Sequence, residues 1–162
     1  MIELPFILDD MKMITEVEIK LPGKNSLHKL RLIFDTGCSM TTISDKLFTN
    51  LKLPQKDAVP ITIIGINSEE KGISVVLDSF MLGGVDLGNV RVSIGKMKPH
   101  FQDSIILGMN VLMWYDIAVV NRKKKIFLKE RRFKDLDIAY GQKYSVTNPS
   151  SFNLATAQEM SD

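Results

Sequence analysis

Along the first third of the chain, apolar positions alternate with polar ones instead of recurring at helical spacing. Ile14, Val17 and Ile19 are interleaved with Thr15, Glu16, Glu18 and Lys20. The stretch Leu21-Pro22-Gly23-Lys24-Asn25-Ser26 then supplies a turn, and Leu30, Leu32 and Phe34 resume the pattern beyond it. This predicts a hairpin over residues 11–34 that ends at Asp35. Leu47, Phe48 and Leu51 stand three and four apart, between Ser44 as a suitable N-cap and Pro54 as a stop. That spacing predicts one short helix over 44–53.

From Ala58 onward the strand pattern returns. Ile61, Ile63 and Ile64 lead to Gly65, the run Asn67 to Gly72 is polar, and Ile73 to Leu82 is apolar again. The prediction is a long hairpin with a polar tip. Gly83 to Gly88 makes a further turn, after which Val90, Val92 and Ile94 alternate cleanly. Ser104-Ile105-Ile106-Leu107 is a short apolar run closed by Gly108, and Met109 to Trp114 has room for one or two helical turns. Ile117–Val120 and Ile126–Leu128, joined by Asn121–Lys125, predict a last hairpin. The expected fold class is therefore mostly β, one domain over residues 1–132 with one short helix. Residues 133–162 lack this periodicity and carry a Ser-, Thr- and Asn-rich run. They are expected to be an appendage, partly mobile or ordered only against something else, such as a dimer partner.

Composition narrows the function classes. With 162 residues, 44% apolar and 25% charged, the chain has the make-up of an ordinary globular domain. A net charge of +2 calls for no strongly charged partner. The basic cluster Arg122–Lys125 and Lys129–Arg132 has no stacking aromatics interleaved in the manner of nucleic-acid binders and is read as a solvated turn. Cys38 is the only cysteine, so no intrachain disulfide can form, which suits a reducing compartment. His28 and His100 lie far from it in sequence, so no metal site and no cofactor are expected. The N-terminal stretch lacks the features of a secretory signal, and no window is apolar enough to span a membrane. The expected location is cytoplasmic.

One stretch resists a purely structural reading. Leu30 to Phe34 lead from an apolar strand straight into Asp35-Thr36-Gly37-Cys38-Ser39. A carboxylate at the tip of a buried strand is costly unless it is hydrogen-bonded or paired. An Asx-turn ending the strand would account for it locally. Two further features surround it: a helix soon after, and Ile105-Ile106-Leu107-Gly108 about seventy residues later. The long hairpin lies between them.

Taken together, Phe34-Asp35-Thr36-Gly37-Cys38-Ser39 and Ile106-Leu107-Gly108-Met109-Asn110-Val111-Leu112 resemble the retropepsin-like aspartic peptidases over about residues 11–130. The resemblance implies an acid-protease β-barrel, closed or partly open. It implies a catalytic loop at the first motif with Asp35 as the catalytic carboxyl, supported by Thr36, Gly37 and Ser39. The middle hairpin becomes a flap whose Ile64, Gly65, Ile66 and Asn67 touch substrate, and the second motif buttresses the catalytic loop. Thr36 is expected to hydrogen-bond across to a partner loop, Gly37 to use a positive φ in a sharp turn that lets its N–H approach the carboxylate, and Ser39 to reach the outer carboxylate oxygen. The family has one such aspartate per chain and builds its site by homodimerisation, and this chain likewise has one. The implied function is endopeptidase action on a peptide or protein substrate, with a catalytically silent dimerisation or peptide-binding module as the alternative. Chain ends Met1–Leu8 and the segment after Arg132 are candidate interface strands. Two departures stand out. Cys38 occupies a position that is often Ala, and its oxidation would silence the site. Met109 replaces the arginine of retroviral members.

Overall fold

The computed structural model describes residues 1–64 and 69–131. Strands in chain order are β1 (Ile2–Pro5), β2 (Ile7–Asp9), β3 (Lys12–Lys20), β4 (Leu27–Phe34) and β5 (Thr42–Ser44). Helix α1 (Asp45–Asn50) precedes β6 (Val59–Ile64), β7 (Glu69–Leu77), β8 (Phe80–Leu82), β9 (Val85–Asp86), β10 (Val90–Gly95) and β11 (Ser104–Leu107). Helix α2 (Met109–Leu112), β12 (Tyr115–Val120) and β13 (Lys125–Glu130) follow.

The predicted first hairpin is β3–β4, paired from Met13↔Phe34 to Lys20↔Leu27. Its alternation buries Val17, Ile19, Leu30 and Leu32 on the core side and leaves Glu16 and Lys29 in solvent. Helix α1 begins where Ser44 predicts, the hydroxyl accepting from Leu47 N–H at 2.9 Å. It stops earlier than Leu53, because Lys52 takes a left-handed conformation (φ 52°). Lys52 N–H then bonds Thr49 O and Leu53 N–H bonds Phe48 O, a Schellman closure of the last carbonyls.

The β6–β7 hairpin runs further into its polar tip than the sequence predicts. Glu69, Glu70 and Lys71 pair with Ile64, Ile63 and Thr62. Ladder bonds use backbone only, so charged side chains on a solvated ribbon do not end the strand. At its other end the apolar run Ile73–Leu82 is broken at Asp78 and Ser79 into β7 and β8. The residues Gly65, Ile66 and Asn67, and the appendage expected over 133–162, lie outside the described residues.

Two sheets result among the described residues. The larger has the order β6-β7-β10-β5-β11-β4-β3-β8-β9, with β2 added beside β3; the smaller is β1-β13-β12. The larger sheet does not close on itself, so the open form of the expected barrel is the one found. The chain's first strand is engaged internally, since Ile2–Pro5 pair with Leu128–Lys125. Leu4, Leu32, Ile43, Ile105, Leu107, Leu112, Ile126 and Leu128 are all 1% exposed or less. Each fully buried side chain contributes about 2 kcal/mol, and together they clamp the strands that carry the Asp35 loop.

Candidate active site

The sheet order explains why the loop after β4 has the shape it has. β11 lies between β4 and β5, parallel to β4 (Leu107↔Phe34) and antiparallel to β5. The chain leaving Phe34 must therefore cross over the end of β11 before re-entering the sheet at Thr42. Asp35 to Thr41 make that crossing, and they do so against Gly108. A Cβ on Gly108 would lie 2.4 Å from the Met40 carbonyl carbon and 2.7 Å from Thr41 N. No side chain fits there, so the second glycine motif is a close-approach requirement.

Asp35 is half-buried at the start of the crossing. Its N–H is tied to Leu107 O at 3.2 Å and its carbonyl accepts from Cys38 N–H at 3.3 Å. One carboxylate oxygen, Oδ1, accepts the Gly37 N–H at 2.8 Å. The Asx-turn is thus present, and it orients the carboxylate. Gly37 brings its N–H to the carboxylate as expected but corrects the expected conformation. Its φ is outside the left-handed region occupied by Gly23, Gly83, Gly84 and Gly88. What it needs is closeness: an added Cβ would stand 3.2 Å from Asp35 Oδ1.

Thr36 and Ser39 are exposed. Neither hydroxyl bonds to the Asp35 carboxylate within the chain; Ser39 contributes its carbonyl instead, accepting from Asn110 N–H at 3.0 Å. The Ser39 hydroxyl therefore does not play the expected role in the single chain. Of the four residues expected to form a flap, Ile64 is the one described, and it is 80% exposed at the end of β6.

Cys38 turns inward. Its thiol donates to Met40 O at 3.0 Å and lies 4.0 Å from Thr42 Oγ1. Burial pushes its pKa up from 9.0, the nearby Asp35 charge adds to this, and the Met40 and Thr42 contacts oppose it. A raised pKa disfavours the thiolate, the form that is oxidised.

The buttress is more extensive than the motifs suggest. Met109 N–H donates to Cys38 O at 2.7 Å. Buried Asn110 accepts from Thr41 N–H at 2.6 Å and from its hydroxyl at 2.8 Å. Its Nδ2 donates to Arg91 O at 2.9 Å. Thr41 Oγ1 in turn accepts Gly108 N–H at 3.2 Å. Thr42 Oγ1 is 2.7 Å from Ser93 Oγ, which joins β5 to β10. Sequence reasoning assigned no role to Thr41 or Arg91, and placed Asn110 in the buttressing second motif without singling it out. The available signal was a polar side chain, Asn110, inside an otherwise apolar second motif.

This scaffold, a strand-tip Asp-Thr-Gly loop braced from below by a glycine and an asparagine, defines an aspartic-protease-type loop. Residues 17–111 match the family model described as aspartyl protease, and the chain belongs to that family. Among solved structures it is similar to a retropepsin-like aspartic protease from Rickettsia conorii, with 19% identity over 78% of this chain and 88% of that one and a TM-score of 0.56. It is also similar to EIAV protease in complex with the inhibitor HBY-793, with 17% identity over 52% of this chain and 75% of that one and a TM-score of 0.43. No curated protein matches the chain. The fold is that of the retropepsin-like proteases.

Proposed function

We infer that the chain is an aspartic endopeptidase working as a homodimer. Hydrolysis of a peptide bond by this route needs a base to activate water and an acid to protonate the leaving nitrogen. One carboxyl cannot do both at once. Two carboxyls about 3 Å apart cannot both ionise, so they share a proton and divide the roles. A chain with one Asp-Thr-Gly loop reaches that arrangement by facing a second copy across a twofold axis. In the dimer, Thr36 hydroxyls are available to bond between loops. An extended peptide would lie over the paired Asp35 carboxyls beneath Ile64, Gly65, Ile66 and Asn67, joined to the flap backbone as an added strand.

The observation that carries this reading is the state of Asp35. Its backbone is bonded to Leu107 and Cys38 and one oxygen to Gly37, while Thr36 and Gly37 beside it are exposed. Such rigidity at an accessible acid is what pre-organised chemistry requires. The test is a peptide-library digest with wild type and Asp35→Asn side by side. Wild type is expected to cut and the variant to be silent with an unchanged circular dichroism spectrum. Cleavage by the folded variant overturns the assignment.

A further inference from the structure

Arg91 is buried to 7% exposure on β10 and forms no ion pair among the described residues. Its Nη1 donates to Asp57 O at 3.0 Å and to Ser74 Oγ at 3.1 Å. Its Nε is buried without a partner. A buried cation held only by neutral acceptors is costly, so a structural purpose alone would be served more cheaply by an apolar residue. The two acceptors share a location. Asp57, itself in a left-handed conformation (φ 48°), stands two residues before β6. Ser74 on β7 is paired with Val59, the first residue of β6, and with Ser93 on β10. Arg91 therefore fastens the base of the β6–β7 hairpin, roughly 17 Å of strand away from Ile64.

The backbone of the same residue faces the other way in function. Arg91 O accepts from Asn110 Nδ2, and Asn110 holds Thr41 at the end of the Asp35 crossing. One residue thus joins the root of the hairpin, through its side chain, to the brace under the catalytic loop, through its carbonyl. We propose that Arg91 is a positioning residue that sets the hairpin's angle over the Asp35 loop and so controls how firmly substrate is held. This rests on the peptidase reading above.

The test combines steady-state kinetics with hydrogen exchange on Arg91→Met, Arg91→Lys and Ser74→Ala. Arg91→Met is expected to raise KM on the order of tenfold while kcat stays within roughly twofold, since the lost hydrogen bonds order the hairpin and not the reacting atoms. Lysine offers a point charge in place of a fork spanning two acceptors, so Arg91→Lys should recover little. Ser74→Ala, which keeps the cation, should raise KM a few-fold. Amide exchange should accelerate in Val59–Ile64 and Glu69–Leu77 and stay unchanged in β3 and β4. An unchanged KM, or exchange that accelerates equally in β3 and β4, overturns the proposal. If Arg91→Met fails to fold, Ser74→Ala carries the same two readouts. If wild type cleaves no peptide, the peptidase reading falls, and the exchange pattern alone decides the coupling: confined acceleration supports it and uniform acceleration refutes it.

Discussion

Asn110 accepts two hydrogen bonds from Thr41, from the N–H at 2.6 Å and from the hydroxyl at 2.8 Å. Residues 69 positions apart are thereby locked at the point where the Asp35 loop returns to the sheet. Both are essentially buried, so no water can replace either bond. Asn110→Leu keeps the volume and removes every partner. Thr41 N–H, its hydroxyl and Arg91 O would be left with lost bonds in a dry site, costing about 3 kcal/mol. A Tm drop on the order of 10 °C by calorimetry is expected. A change within about 2 °C would mean that the brace is dispensable.

Two glycines near Asp35 should respond differently to the same substitution. At Gly108 the new methyl meets Met40 and Thr41 backbone at 2.4–2.7 Å, atoms that cannot rotate away. Gly108→Ala is expected to cost about 3 kcal/mol or more, seen as a lowered urea midpoint. At Gly37 the only neighbour within 4 Å among the described residues is Asp35 Oδ1, at 3.2 Å. Gly37→Ala should therefore fold with nearly unchanged stability, within about 0.5 kcal/mol. Its peptidase activity should nonetheless fall, because the methyl presses on the oxygen that the Gly37 N–H positions. A Gly108→Ala protein as stable as wild type would contradict the close crossing.

The motifs were legible because each is local. An apolar strand running into Asp35-Thr36-Gly37, and Leu107-Gly108 running into a helical turn, can be read from neighbours in sequence. The Thr41–Asn110 bond could not, since it exists only because β11 inserts between β4 and β5. The same insertion decides why Gly108 must be glycine. Strand limits at Glu69–Lys71 were hidden for another reason: polarity predicts solvent exposure, and an exposed ribbon can still be paired. The pairing of Ile2–Pro5 with β13 joins strands over a hundred residues apart in sequence, which no local pattern records.

Mixing wild type with Asp35→Asn tests the shared site. If each site needs two aspartates, random assortment of equal amounts leaves half of the wild-type chains in mixed, inactive dimers. Activity should then be roughly half that of the same wild-type concentration alone. Activity that stays proportional to wild type, indifferent to added variant, would show that one chain suffices or that the chains do not exchange; dilution of wild type alone separates these, since a dimeric site loses specific activity as it dissociates.

The alkaline limit of stability should come from Cys38 first and Tyr115 second. Burial raises the Cys38 thiol above 9.0, with Asp35 adding to it, and burial raises the Tyr115 phenol above 10.0, with Glu130 adding. In both cases the folded chain holds the proton more tightly than the unfolded chain. Between the unfolded and folded pKa values the unfolded state has released its proton and the folded state has not, so stability falls as pH rises. The contribution is complete below 9.0 for Cys38 and below 10.0 for Tyr115, and is lost above. Urea midpoints followed against pH should hold level up to about 9 and then decline. Cys38→Ala should move the onset toward 10, where Tyr115→Phe in turn removes part of the fall. The thiol itself gives an independent check: iodoacetamide should label folded Cys38 at pH near 8 far more slowly than the urea-unfolded chain, because the thiolate is the reacting form. Equal labelling rates would mean that the thiol is neither buried nor held protonated.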